Sequence, residues 1–130
     1  MHEWCIEHHG KSGLTEKVRQ SKLSLAECET QVLDFLKKYT PPGECPLAGN
    51  TVSTDKRFLI HYMPDVIKHL SYKLVDVTSI SQLADRWYPE GAFADKPEKK
   101  GNHLALDDIR ESIEELRYYR KVLFRDQITK

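Results

Sequence analysis

Apolar residues along the chain fall into helical and extended rhythms that take turns. Leu25, Cys28, Val32, Phe35, Leu36 and Tyr39 recur at helical spacing. Ser24, with Glu27 three residues later, has the form of a capping box ahead of them, which predicts a helix over about 25–39. Thr40-Pro41-Pro42-Gly43 ends that element. Cys45-Pro46-Leu47-Ala48-Gly49 is then short, apolar and bounded by turn formers, as a buried strand opening into a loop would be. Asn50, Thr51 and Ser53 place polar side chains at the strand end. Ser53 or Thr54 can cap a second helix, which Met63-Pro64 should stop, because the residue before proline is driven out of helical geometry.

The alternation repeats. Lys73 to Val77 is rich in β-branched residues and reads as a second strand, with Thr78-Ser79 as the cap of a helix running to about Trp87. Tyr88-Pro89-Glu90-Gly91 is a turn, and Lys96 to Gly101 is a charged loop. A last helix should carry Leu106, Ile109, Ile113, Leu116 and Leu123 on one stripe. Strands alternating with helices predict an α/β fold with helices covering a sheet. Two or three strands make a thin sheet against the usual five or six or so. Part of it is expected to be missing from this chain or supplied by a partner.

Composition narrows the class. The 130 residues suit one domain, and 39% apolar with 31% charged residues is a globular mixture. Lys plus Arg and Asp plus Glu stand at 20 each, so nucleic-acid binding would need a local site, not a basic surface. The apolar runs are too short to span a bilayer, and the first residues resemble neither a secretory signal nor a transit peptide. Cys5, Cys28 and Cys45 are an odd count without a C-x-x-C pair, which fits a reducing compartment.

Three residues carry candidate chemistry: Asp55 at a strand-to-helix junction, and His103 and Asp108 in a His-x-x-x-x-Asp spacing at the start of the last helix. The spacing alone is weak, since Asp107 and Asp108 also suit the positive end of a helix and His103 could be a plain loop histidine. Strand ends in α/β folds gather ligand sites, however. Carboxylates converging there suit a hard divalent cation, with a histidine as general base beside it.

Several runs together resemble the oligoribonuclease family: Glu3-Trp4-Cys5, His9 to Leu14, Cys45 to Asn50, Asp55 to Leu59, Tyr62-Met63-Pro64, Asp76-Val77-Thr78, Arg86 to Pro89 and His103 to Ser112. They occur in the family's order over residues 3–125. The resemblance implies an RNase H-like exonuclease of the DEDD class that removes nucleotides from the 3′ end of very short RNAs and works as a homodimer, with mitochondrial or cytoplasmic forms. It implies Asp55 and Asp108 as ligands of Mg²⁺ or Mn²⁺, His103 as general base, and Tyr72 as a residue reaching the partner's site. Thr51, together with Lys73 and Thr78 of the partner, would contact the 5′ phosphate. Trp4 would contact a base and His9 would line the site, with ordinary packing open for both. The family begins with a strand bearing Asp-x-Glu, and no such strand precedes Asp55 here. The expected fold is therefore partial, a single incomplete domain over 1–130 whose two-metal site lacks two carboxylates. An inactive remnant serving in dimerisation or RNA binding is the alternative to a catalytic chain.

Overall fold

The computed structural model describes residues 13–97 and 105–124. They fall into two compact units, Leu23–Arg86 and the described parts of residues 1–22 and 87–130.

In the Leu23–Arg86 unit, α2 spans Leu25–Tyr39, β1 Pro46–Gly49, α3 Ser53–Tyr62, α4 Pro64–His69, β2 Ser71–Asp76 and α5 Val77–Trp87. The α2 capping box forms as the sequence predicts. Glu27 N donates to Ser24 Oγ at 3.2 Å, and Ser24 N donates back to the Glu27 carboxylate at 2.8 Å. Ser24 Oγ also donates to that carboxylate at 2.7 Å, and this bond first, with the one from Ser24 N, holds the Glu27 carboxyl below its ordinary pKa.

β1 and β2 pair in parallel, joined by the crossover through α3 and α4. The ladder matches Leu47 with Leu74, Ala48 with Val75 and Gly49 with Asp76, but Pro46 faces Ser71. Tyr72 and Lys73 thus stand outside the pairing as a bulge, a device that re-aims side chains beside functional sites.

Pro64 does end one helix, but it also begins the next. It occupies the first turn of α4, where its missing N–H would have no partner anyway. Asp65 N donates to Glu29 Oε1 of α2 at 2.7 Å, so a side chain from another helix closes this end. Lys68 pairs with the Asp65 carboxylate at 2.7 Å and lowers its pKa. Buried His69 binds Thr40 at 2.9 Å. The Thr40 hydroxyl proton goes to Leu36 O, which assigns the proton of the Thr40–His69 bond to Nε2 of the ring.

The core of this unit is small: Val52, Val66, Val77 and Ala84 are buried, each valine contributing about 1.5–3 kcal/mol. Leu74 and Val75, neighbours on β2, are each 38% exposed. Neighbouring strand residues point to opposite faces, so both faces of this two-stranded sheet remain partly wet. The mixed α/β architecture and the thin sheet are as the sequence predicts, and the structure adds that its strands run parallel.

The other unit holds α1 (Leu14–Gln20) and α6 (Ala105–Leu123). α1 escapes the periodicity argument because it presents no buried side. On α6 the predicted apolar stripe does not form the buried face. Leu106, Ile109 and Ile113 are exposed, while Glu115 and Tyr119, one turn apart, are buried. The turn segment 88–96 accounts for this. Phe93 sets its ring edge-on to Tyr119 at 6.2 Å and to Tyr118 at 6.5 Å, and Lys96 Nζ lies 3.8 Å from Glu115. Tyr118 donates to the Asp95 carboxylate, and this bond, more than burial, pushes its phenol up to about 12. No described helix is long and apolar enough to cross a membrane.

Candidate active site

β1 ends at Gly49, and the chain turns through Asn50 and Thr51 into α3. Thr51 has φ +53°, a left-handed backbone in a β-branched residue. Such a conformation costs about 1–3 kcal/mol and persists only where surroundings enforce it. Here they do. Thr51 N donates at 2.9 Å both to Asp76 Oδ1 and to Thr78 Oγ1, at the end of the neighbouring strand. Thr78 N donates to the same Asp76 oxygen at 3.0 Å.

Asp76, not Thr78 or Ser79, therefore takes the place of the α5 cap, with the N–H of Thr78, the second residue of the helix, as its donor. α3 likewise departs from expectation: its cap is Val52, with no side-chain bond, so neither Ser53 nor Thr54 fills that role. The bonds from Thr51 N already fix the approach to this helix.

The hydroxyls of Thr51 and Thr78 are 3.1 Å apart within one chain. Thr78 gives its proton to Asn50 Oδ1 at 3.3 Å, leaving Thr51 as the donor between the two hydroxyls. The resemblance brings Thr78 from a partner subunit. Within this chain, Thr78 itself lies beside Thr51.

Asp55 lies in the first turn of α3, exposed. Its carboxylate has no hydrogen-bond or ion-pair partner among the described residues, whereas Asp65, Asp76 and Asp95 are all engaged. Asp34 and Asp85 likewise have no partner among the described residues, so this freedom acquires meaning only from the strand-end position. Asp108, in the first turn of α6 and in the other unit, is also exposed. Its neighbour Asp107 is drawn to Arg110 at 3.7 Å, while the Asp108 carboxylate has no partner among the described residues.

Tyr72 and Lys73 share the β2 bulge. Tyr72 is 82% exposed, and Lys73 Nζ sits 5.9 Å from its ring centroid, within cation–π range. Lys56, next to Asp55, donates to the Tyr72 carbonyl at 3.0 Å and so supplies the bond that a paired strand would have made. Trp4, His9 and His103 lie outside the described residues.

Asp55 and Asp108 offer the hard oxygen donors that Mg²⁺ or Mn²⁺ prefers. Among the described residues, no three His, Cys, Asp or Glu side chains come together as a metal cage. Sequence reasoning missed Asp76 and the bulge. An aspartate closing a strand two residues before a threonine in a helix is a cap signal available from sequence. The register shift has no such signature.

Residues 1–116 match the exonuclease family. The chain is 51% identical over 128 residues to the mitochondrial oligoribonuclease of Homo sapiens, covering 98% of this chain and 54% of that protein. It is 54% identical over 125 residues to a probable oligoribonuclease of Dictyostelium discoideum, covering 96% and 64%. With the oligoribonuclease of Colwellia psychrerythraea it shares 48% over 125 residues, 96% and 68% of the two chains. The chain thus spans between about half and two thirds of these relatives' length. With the family matched across most of the chain and close relatives from animal, amoeba and bacterium, this protein belongs to the exonuclease family, among the oligoribonucleases.

Proposed function

We propose that the protein acts as a 3′-to-5′ exoribonuclease that degrades short oligoribonucleotides, dinucleotides included, to mononucleotides. The observation that carries this reading is Asp55: an exposed carboxylate, with no partner among the described residues, on the first turn of a helix directly past the end of a parallel strand, in a member of this family. Asp55 and Asp108 would be among the ligands of a two-metal site for Mg²⁺ or Mn²⁺. When bound, the ion polarises the phosphodiester and activates water. His103 takes the proton from the attacking water.

Thr51 and Thr78 meet the 5′ phosphate through their hydroxyls, and Lys73 of a partner subunit adds a point charge without the bidentate fork of arginine. Tyr72 reaches the partner's site from its bulge, which makes the working unit a homodimer. By the resemblance, Trp4 would contact a base and His9 would line the site, with ordinary packing the alternative for both. The name of the human relative favours a mitochondrial setting, with the cytoplasm as the alternative.

The test joins these 130 residues to the N-terminal segment of the Dictyostelium relative and follows release of mononucleotides from labelled short RNAs. Turnover should fall by about a hundredfold or more on Asp55→Ala, Asp108→Ala or His103→Ala. Full activity in any one variant removes that residue from the mechanism, and no turnover by the unaltered chimera with either ion removes the reading itself.

A further inference from the structure

The Thr51–Thr78 hydroxyl pair is set by a residue with no assigned part in the reading above. One oxygen of Asp76 accepts from Thr51 N at 2.9 Å and from Thr78 N at 3.0 Å. The second bond is ordinary helix capping. The first is not, because Thr51 belongs to the loop after the other strand and is held there in a left-handed backbone.

We infer that Asp76 is a positioning residue for the substrate's 5′ phosphate: by clamping both amides with one carboxylate oxygen it presents the Thr51 and Thr78 hydroxyls as a pair 3.1 Å apart. This inference rests on Thr51 and Thr78 being the phosphate contacts. A phosphate oxygen can take the Thr51 proton in place of Thr78, while Thr78 remains oriented by Asn50 and by the Thr51 amide.

Two opposing effects meet at Asp76. Its negative charge repels a phosphate, and its geometry creates the place where the phosphate binds. An amide at the same position keeps the acceptor oxygen and removes the charge, so Asp76→Asn separates the two. If geometry dominates, Asp76→Asn binds the phosphate at least as well as the unaltered chain, and Asp76→Ala binds it poorly.

The experiment titrates the 130-residue chain, without divalent ions, with a 5′-phosphorylated diribonucleotide and with its 5′-hydroxyl form, following the Thr51 and Thr78 amide resonances. The preference for the phosphorylated form should drop about tenfold in Asp76→Ala and return in Asp76→Asn, as expected for loss of charge-assisted hydrogen bonds. Affinity for the 5′-hydroxyl form should move little. A merely structural role would weaken both ligands alike.

Unchanged preference in Asp76→Ala overturns the inference. Absence of any preference in the unaltered chain overturns instead the phosphate reading beneath it. Should neither variant fold, the unaltered chain decides through scalar coupling across the hydrogen bonds. Coupling from both amide nitrogens to the Asp76 carboxyl carbon supports the clamp, and its absence at Thr51 refutes it.

Discussion

The left-handed backbone at Thr51 can be tested by its sign. At an ordinary position, alanine is more stabilising than glycine by about 0.5–1 kcal/mol, because glycine loses more freedom on folding. At φ +53° the order should reverse. Any side chain with a Cβ is strained there by about 1–2 kcal/mol, and glycine is not. Thr51→Gly and Thr51→Ala both lose the hydroxyl bond to Thr78, so that term cancels in the comparison. Both keep the backbone N–H donated to Asp76 and Thr78.

Thr51→Gly should then be the more stable of the two by about 1 kcal/mol, roughly 4 °C in Tm for a domain of this size. The assay is urea or thermal unfolding of both variants beside the unaltered chain, with equal denaturant slopes as the check that the unfolded states match. Both variants should favour 5′-phosphorylated dinucleotides less than the unaltered chain does, since neither has the hydroxyl. If Thr51→Ala is the more stable variant, the residue is not strained, and the tie between the strand ends loses its energetic basis.

Other outcomes follow from the same structure. Asp107→Ala in the active chimera should leave turnover within about threefold, since a surface ion pair at 3.7 Å contributes little; a collapse like that of Asp108→Ala would mean the two roles were exchanged. In an alkaline titration followed by phenolate absorbance, one tyrosine should ionise at about 12, and Tyr118→Phe should remove that step. Because the folded state favours the protonated phenol, the stabilisation is full below the ordinary value near 10 and is lost as pH rises through about 12. Mixing a His103→Ala subunit with a Tyr72→Ala subunit of the chimera should restore one intact site per heterodimer, and inactive mixtures in which heterodimers are demonstrated would return Tyr72 to a plain surface residue.

The parts of this fold that were legible in the sequence are those decided locally. Ser24 and Glu27 announce α2 because the capping box is a contact among four consecutive residues. β1 and α5 are bounded by turn chemistry, and Asp55 could be placed at its junction for the same reason. The errors concern features that depend on distant partners.

Leu106, Ile109 and Ile113 carry the right spacing, yet α6 buries Glu115 and Tyr119 because Phe93 and Lys96 of the preceding turn offer aromatic and charged partners there. Met63-Pro64 looked only like an ending, since the bond from Glu29 that closes α4 comes from 36 positions away. The threonine hydroxyls could be named from the resemblance. Their contact within one chain depends on two strands ending side by side, which periodicity does not encode.

The register shift between Pro46 and Leu47 separates two demands on the segment from Ser71 to Leu74. The fold requires that two residues stand there. With one fewer or one more, Leu74 and Val75 would exchange faces and the ladder would no longer close at Gly49 and Asp76. It makes little demand on which two they are. The bond from Lys56 goes to a backbone carbonyl, and the Tyr72 ring lies mostly in solvent. Length is thus constrained from within the chain, while identity is left to whatever touches these side chains from outside. A tyrosine and a lysine at such a place can be exchanged at little cost to this fold.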